Sequence, residues 1–288
     1  MNAINVKEKN HVLFQICVVG AGGNGSHFVR TLLQTISGYL AANERPPISF
    51  DITLIDADRV EQKNFQRQLF DQDDLDEYKV VSLVERYADY YGLEVKAVTE
   101  FVTSLEMLAN LFGSGDLNIG PNVQVVPILV GLVDNNKTRQ LFDEFFHSDL
   151  IEDLIWIDAG IEGIMLFDDP SPAELQMIEF SGFGGQVVCG YKFRGETILE
   201  PVTRVYPNIL GDEKTEFPGQ SCGDTILNNP QRLQTNQMAA QLTMTLLNNL
   251  MDKQNIYFHK INFNAQFAQS KSTFIQKDIV EKFEALRK

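Results

Sequence analysis

Positive charge is scarce in this sequence: 24 Lys and Arg stand against 39 Asp and Glu, a formal net charge of -15 over 288 residues. That balance excludes a broad phosphate-neutralising face, and with it nucleic acid or an anionic membrane surface as partner. Any phosphate the chain handles has to be met by a few local cations. Cysteine is equally sparse, with three widely separated residues, Cys17, Cys189 and Cys222. An odd, dispersed set without a CxxC pair excludes a disulfide framework and a structural zinc site. Glycine and proline number only 20 and 10, and with 44% hydrophobic and 22% charged residues this excludes collagen-like and disordered classes. Apolar runs break within about ten residues, short of the roughly twenty that span a bilayer. The opening MNAINVKEKN has no apolar signal core, so a cytoplasmic location is expected.

What is present is an alternation of strands and helices. Residues 12–19, VLFQICVV, read as a strand buried on both faces, followed directly by GAGGNGS and a helical pattern through Phe28, Leu32, Leu33, Ile36 and Leu40. ERPP breaks that helix before a second strand over 48–55, which ends at Asp56 and Asp58. The acidic stretch DQDDLDEY is expected to charge the N-terminal turn of a helix running to Tyr91, where Gly92 stops it. A strand over 94–99, a short helix over 104–111 and a loop, GSGDLNIGPN, follow. Next come a strand over 123–133 ending at Asp134, a helix to His147 and a strand over 154–157 ending at Asp158. This order predicts a doubly wound, Rossmann-like, mostly parallel sheet.

Beyond Gly160 the pattern shifts to short strands, GIMLF, ELQMIEF and GQVVCGYKF, predicting antiparallel hairpins that extend the sheet in the C-terminal half. A polar loop over 195–222 leads to a helix over 230–251 whose apolar positions are Leu233, Met238, Leu242, Leu246 and Leu250. NIYFHKINFN and AQFAQS read as two last strands, and Ile279, Val280, Phe283 and Leu286 mark an amphipathic tail helix.

Gly20, Gly22 and Gly25 form G-x-G-x-x-G between a strand and a helix, where glycines let a phosphate approach backbone N–H groups at the helix start. The other reading is a purely structural turn. For a nicotinamide dinucleotide an acid is expected about twenty residues on. Asp56 lies further away, and the segment after it, IDADRVEQKNFQRQLF, carries Asp58, Asn64, Arg67 and Gln68, with Lys79 beyond. Asp56 suits ribose hydroxyls, while Arg67 and Lys79 are cations suited to a triphosphate rather than a dinucleotide. Alternatively Arg67 and Lys79 pair with Asp71, Asp73 and Glu77 on a solvated face. Asp134, at the carboxyl edge of the sheet, suits either Mg²⁺ held between phosphate oxygens or a cap for the helix after it.

GAGGNGS, DADRVEQKNFQRQ, Tyr78-Lys79 and VDNNKTR, in that order, resemble the ThiF/MoeB and ubiquitin-activating-enzyme superfamily over about residues 12–269. QLF, YYGLEV and PGQSCGD before a helix rich in Asn and Gln are most similar to ThiF-type proteins of bacterial PRTRC systems. The resemblance implies that Gly20, Gly22, Gly23 and Gly25 line the phosphates of ATP and that Asp56 takes the ribose. It further implies that Asn64, Arg67 and Lys79 contact phosphates, that Asp58, Gln68 and Asn135 complete the nucleotide set, and that Asp134 binds Mg²⁺. The implied reaction is adenylation of the C-terminal glycine of a ubiquitin-like protein, by a homodimer, with Arg67 and Lys79 as catalytic residues. Relatives often carry an N-terminal arginine that reaches the partner subunit's ATP, whereas the first 29 residues here hold Lys7 and Lys9 but no arginine.

On this reading residues 1–160 form the ATP-binding half, 161–275 complete the adenylation domain, and 276–288 form a C-terminal helix. Cys17 and Cys189 lie in strands and are expected in the core. Cys222, in a polar loop before a helix, is the residue expected to accept the acyl group as a thioester for a conjugating enzyme. Sulfur transfer to a small carrier protein and a non-catalytic ATP-binding scaffold are the competing outcomes within the family.

Overall fold

The computed structural model describes residues 1–42, 47–113, 120–213 and 231–288. Most of the expected ERPP turn and of the GSGDLNIGPN loop, and Cys222, lie outside them. The chain runs through β1 (Ile4–Asn5), β2 (His11–Val19), α1 (Gly23–Ala41), β3 (Ile48–Ile55) and α2 (Lys79–Leu83). A π-helical turn, Val84–Ala88, joins α2 to α3 (Asp89–Tyr91). Then come β4 (Lys96–Val98), α4 (Leu105–Leu111), β5 (Val123–Gly131), α5 (Asn136–His147) and β6 (Leu154–Ile161). The second half holds α6 (Pro172–Phe180), β7 (Gly184–Phe193), β8 (Glu196–Leu199), α7 (Val202–Val205) and α8 (Leu233–Lys253). It closes with β9 (Asn255–Ile256), β10 (Phe258–Asn264), β11 (Gln269–Phe274) and α9 (Lys277–Arg287).

The main sheet has the order β11-β10-β7-β6-β5-β2-β3-β4, with β8 paired to β7. β4, β3, β2, β5 and β6 are parallel neighbours, while β7, β10 and β11 join antiparallel. β2 shows why the sheet is wrapped on both sides. Phe14, Ile16 and Val18 pack into one core with α1, α8 and α9, and Cys17 and Val19 pack into a second with α4 and α5. The strand's period of two thus delivers apolar side chains to two layers at once. Cys17 and Cys189 are both buried, and burial raises both thiols far above their ordinary range. Neither is placed to act as a thiolate nucleophile. Among the described residues no helix is long and apolar enough to cross a membrane.

Several local expectations give way to structure. ELQMIEF lies in α6, where Ser171 accepts from the Glu174 N–H and Glu174 accepts from the Ser171 N–H, a capping box before Pro172. That local bonding outweighs the alternation that suggested a strand. GIMLF forms no strand, and of AQFAQS only Gln269 and Ser270 extend, as the start of β11, because AQFA turns. DQDD does not charge α2. It closes its own 3₁₀ turn, with Asp71 accepting from the Asp73 N–H and Asp74 from the Asp71 N–H. In α8 the buried face of the first half is Thr235, Asn236, Ala239, Ala240 and Thr243, whereas Leu233 is exposed. Small side chains there let α8 lie close against α1, start beside start and end beside end. Asn236 meets Gly23, and the Tyr39 hydroxyl donates to the Met251 carbonyl at 2.7 Å.

The tail helix belongs to the core. Phe283 is fully buried, with its ring 5.0 Å from Phe193 and 5.9 Å from Tyr191. Phe283→Ala is expected to cost about 3–5 kcal/mol of unfolding free energy. Urea titration checks this, and a loss below about 1 kcal/mol would show that α9 is an appendage.

Candidate functional site at the glycine loop

Strand order reverses beside β2: the chain leaves toward β3 and β4, then returns to β5 and β6 on the other side. In doubly wound sheets the crevice outside the carboxyl ends at such a point holds the ligand. Gly20 follows β2 there, Asp56 follows β3 and Asp134 follows β5.

The loop is shaped by what surrounds its glycines. Gly20 has φ +102, and an added Cβ would lie 2.6 Å from the Leu132 carbonyl oxygen. An added Cβ on Gly25 would overlap the Gly20 carbonyl oxygen, so the first and last motif glycines serve close backbone packing. At Gly22 a Cβ would meet nothing within 4 Å. The loop is therefore closed beneath and open at Gly22, where α1 begins without a side-chain cap. A 19-residue helix with an uncapped start presents its first N–H groups and the positive end of its dipole to an anion.

Asp56 fixes the loop to the next strand. Its carboxylate accepts from the Ala21 N–H at 2.6 Å and from the Asp58 N–H at 2.8 Å. Burial raises the Asp56 pKa, opposed by the Lys79 ammonium and assisted by the Asp58 charge. Lys79 is buried and donates from Nζ to Asp58 Oδ2 at 2.7 Å, while its backbone N–H donates to the Asp58 carbonyl at 3.0 Å. Lys79 is thus not on a solvated face, and its partner is Asp58 rather than Asp71, Asp73 or Glu77. Arg86, on the π-helical turn, takes the acids instead, with Asp71 at 3.0 Å and Asp74 at 2.7 Å, and it donates to the Leu69 carbonyl.

Asn64, Arg67 and Gln68 lie on one turn, held by the Arg67 and Gln68 N–H groups donating to the Asn64 carbonyl. Asn64 is buried and accepts from the Glu61 N–H at 2.7 Å. The turn is fastened to α1 from two sides. Ser26 Oγ accepts from the Leu69 N–H, and the His27 ring bonds the Arg67 backbone. Burial lowers the His27 pKa, the Arg67 hydrogen bond pulls it back, and Arg30 lowers it further.

Asp134 is exposed, and the cap of α5 is its neighbour: Asn135 accepts from the Thr138 N–H at 2.8 Å. Beneath them Arg139 donates from Nε to Asp158 at 3.0 Å and from a terminal nitrogen to the Val133 carbonyl at 2.7 Å. Burial raises the Asp158 pKa, and Arg139 opposes that rise. Among the described residues no group of three or more His, Cys, Asp and Glu gathers as a metal cluster. Asp134 supplies one carboxylate, which is compatible with Mg²⁺ only where ligand phosphates provide the rest. A nucleotide phosphate fits the start of α1 and the unpartnered amide donors of Asn135 and Asn236, whereas the unpartnered oxygens of Asn24 and Gln68 are acceptors. Buried side-chain atoms of Asn24, His27, Gln68, Asn135 and Asn236 have no hydrogen-bond partner among the described residues. They lie on the loop, on α1, and on the segments beside them.

The profile of the ThiF family matches residues 7–276. The chain belongs to the ThiF family. It is also similar in fold to the crystal structure of PaaA, at 17% identity and a TM-score of 0.55, over 91% of this chain and 64% of that one. Escherichia coli MccB with succinimide matches at 14% identity and a TM-score of 0.52, over 90% of this chain and 63% of that one. The same enzyme with MccA matches at 17% identity and a TM-score of 0.51, over 91% and 64%. The chain therefore spans under two thirds of the length of these structures. Among curated proteins no relative matches significantly.

Ser26, His27, Arg86, Arg139, Asp158 and Asn236 were not among the residues expected to build the site. The family motif VDNNKTR contains Arg139, but nothing in it discloses that Asp158 waits on the adjacent strand. Gly25→Ala is expected to lower unfolding free energy by about 2 kcal/mol or more through overpacking. Gly22→Ala should stay within about 1 kcal/mol, and the reverse order in urea titrations would contradict the loop geometry. Because His27 is held neutral below its unfolded pKa of about 6.5, its contribution is full above that value and is lost as pH falls below it. His27→Gln should reduce the stability lost between about pH 7.5 and 5, and an unchanged slope would rule out His27 as its source.

Proposed function

We propose that the chain is an adenylating enzyme of the ThiF/MoeB type, activating the C-terminal glycine carboxylate of a ubiquitin-like protein with ATP and Mg²⁺. The observation that carries this reading is the open, uncapped start of α1 at Gly22, enclosed by Asp56, Lys79 and unpartnered amides, in a ThiF-family chain. The helix start, with the loop N–H groups of Gly22, Gly23 and Gly25, binds the phosphates, Gly20 lines the loop beneath them with its own N–H donating to the Ile55 carbonyl, and Asp56, with Asp58 beside it, faces the ribose. Lys79 and Arg67 neutralise phosphate charge, aided by Asn64, Gln68 and Asn135, and Asp134 would hold Mg²⁺, which when bound would supply further charge neutralisation at the phosphates. The attacking carboxylate is already ionised at neutral pH, so no residue is needed as general base. Its oxygen bonds the α-phosphorus as the bond to pyrophosphate breaks. The chain's contribution is alignment and charge neutralisation.

In the second step the Cys222 thiolate attacks the acyl carbon and AMP leaves, giving a thioester for a conjugating enzyme. The lack of CxxC pairs favours this outcome over sulfur transfer, because the sulfur-transfer relatives often carry them. Family resemblance supports a homodimer as the working unit.

ATP–pyrophosphate exchange that depends on a small protein ending in glycine tests the first step. Asp134→Ala changes an exposed side chain, so the fold should persist while exchange falls by at least about 100-fold; normal exchange would remove Asp134 from the metal site. Cys222→Ala should leave exchange intact and abolish a thiol-sensitive conjugate. A conjugate that survives in that variant would place the acyl acceptor elsewhere.

A further inference from the structure

Asn236 stands in the first turn of α8, is completely buried, and has no hydrogen-bond partner among the described residues for either amide atom. Folded chains ordinarily satisfy such groups, and a buried carboxamide with both its donor and its acceptor unmet asks for an explanation. Its position supplies one. The amide lies directly on Gly23 of the glycine loop, where an added Cβ would come 2.7 Å from Oδ1 and 2.8 Å from Nδ2. Gly23 is the first residue of α1, the helix whose start carries no side-chain cap. Asn24, the next residue, also has a buried side-chain oxygen without a partner. The unmet Asn236 Nδ2 donor therefore borders the free N–H groups of a long helix, and an anion satisfies both kinds of donor, whereas the Asn24 and Asn236 oxygens are acceptors that an anion leaves unmet. In a chain with a net charge of -15, a neutral donor adds phosphate affinity where cations are few.

We propose that Asn236 is a phosphate-binding residue: its Nδ2 donates to the nucleotide phosphate seated on the first turn of α1, completing the loop from the side of α8. This assignment rests on the nucleotide reading of the site. It also gives Gly23 a specific role, because any Cβ there would occupy the space of the amide. Asn236 is not needed for the adenosine moiety.

The test is binding by the full chain without a protein partner, measured by calorimetry with ATP and with adenosine, beside the ligand-free melting temperature. Asn236→Ala should weaken ATP by about 10- to 100-fold, the range for a hydrogen bond to a charged group. Asn236→Asp should weaken it further through repulsion, and adenosine should bind both variants as it binds the unaltered chain. Because either variant could misfold, the unaltered chain provides a second measurement. The Asn236 side-chain NH₂ resonance should shift on titration with ATP and stay in place with adenosine. If the unaltered chain binds neither ligand, the nucleotide reading itself fails. If it binds ATP while the NH₂ resonance stays in place, or the folded variants bind ATP equally well, Asn236 is only a packing residue and the nucleotide reading stands.

Discussion

Asp56 accepts backbone N–H groups from Ala21 and Asp58, at 2.6 and 2.8 Å, and so ties the glycine loop after β2 to the turn after β3. Those two strands pair in register from Val12↔Ile48 to Val19↔Ile55, but the sheet's hydrogen bonds stop at its edge. Beyond that edge the loop is held by the Gly20 N–H donating to the Ile55 carbonyl, by close backbone packing at Gly20 and Gly25, and by the Asp56 carboxylate. Lys79 supports the arrangement from below, opposing the cost that burial places on the Asp56 charge and bonding Asp58 directly. Remove the carboxylate and the loop, the 58–79 segment and the start of α1 lose their shared reference point.

The same economy runs through the rest of the site. Ser26 and His27 extend from α1 to fasten the turn carrying Asn64, Arg67 and Gln68, and Arg86 fastens the residues after it. On the far side of the crevice Arg139 and Asp158 form a buried pair under the Asp134 turn. A buried pair of this kind contributes little net stability, since desolvation offsets attraction. Its consequence is placement, because Arg139 also bonds the Val133 carbonyl and thereby sets the path of the chain into Asp134.

The parallel half of the fold was legible in the sequence because its strands are continuous apolar runs ended by Asp or Gly, and those runs are forced by burial on both faces. α6 was not, because ELQMIEF is a helix surrounded by solvent. Its periodicity carries little information, and its capping box at Ser171 and Glu174 decides the matter. The site was legible as far as local segments reach: the glycines, Asp56, Asp58 and Lys79 do come together. Residues joined only through tertiary packing escaped notice. Asn236 sits on Gly23 across a helix–helix contact, and the buried stripe of α8 is made of small and polar side chains that an apolar pattern does not reveal. The Arg86 pairs with Asp71 and Asp74 depend likewise on the fold.

The open start of α1, framed by Asp56, is the proposed nucleotide-phosphate site. Amide hydrogen exchange across residues 20–27 and 56–69, with and without ATP, addresses that directly. Slower exchange in both segments on adding ATP, with the remote tail helix unaffected, is the predicted result. Exchange unchanged in both segments at saturating ATP would contradict the account.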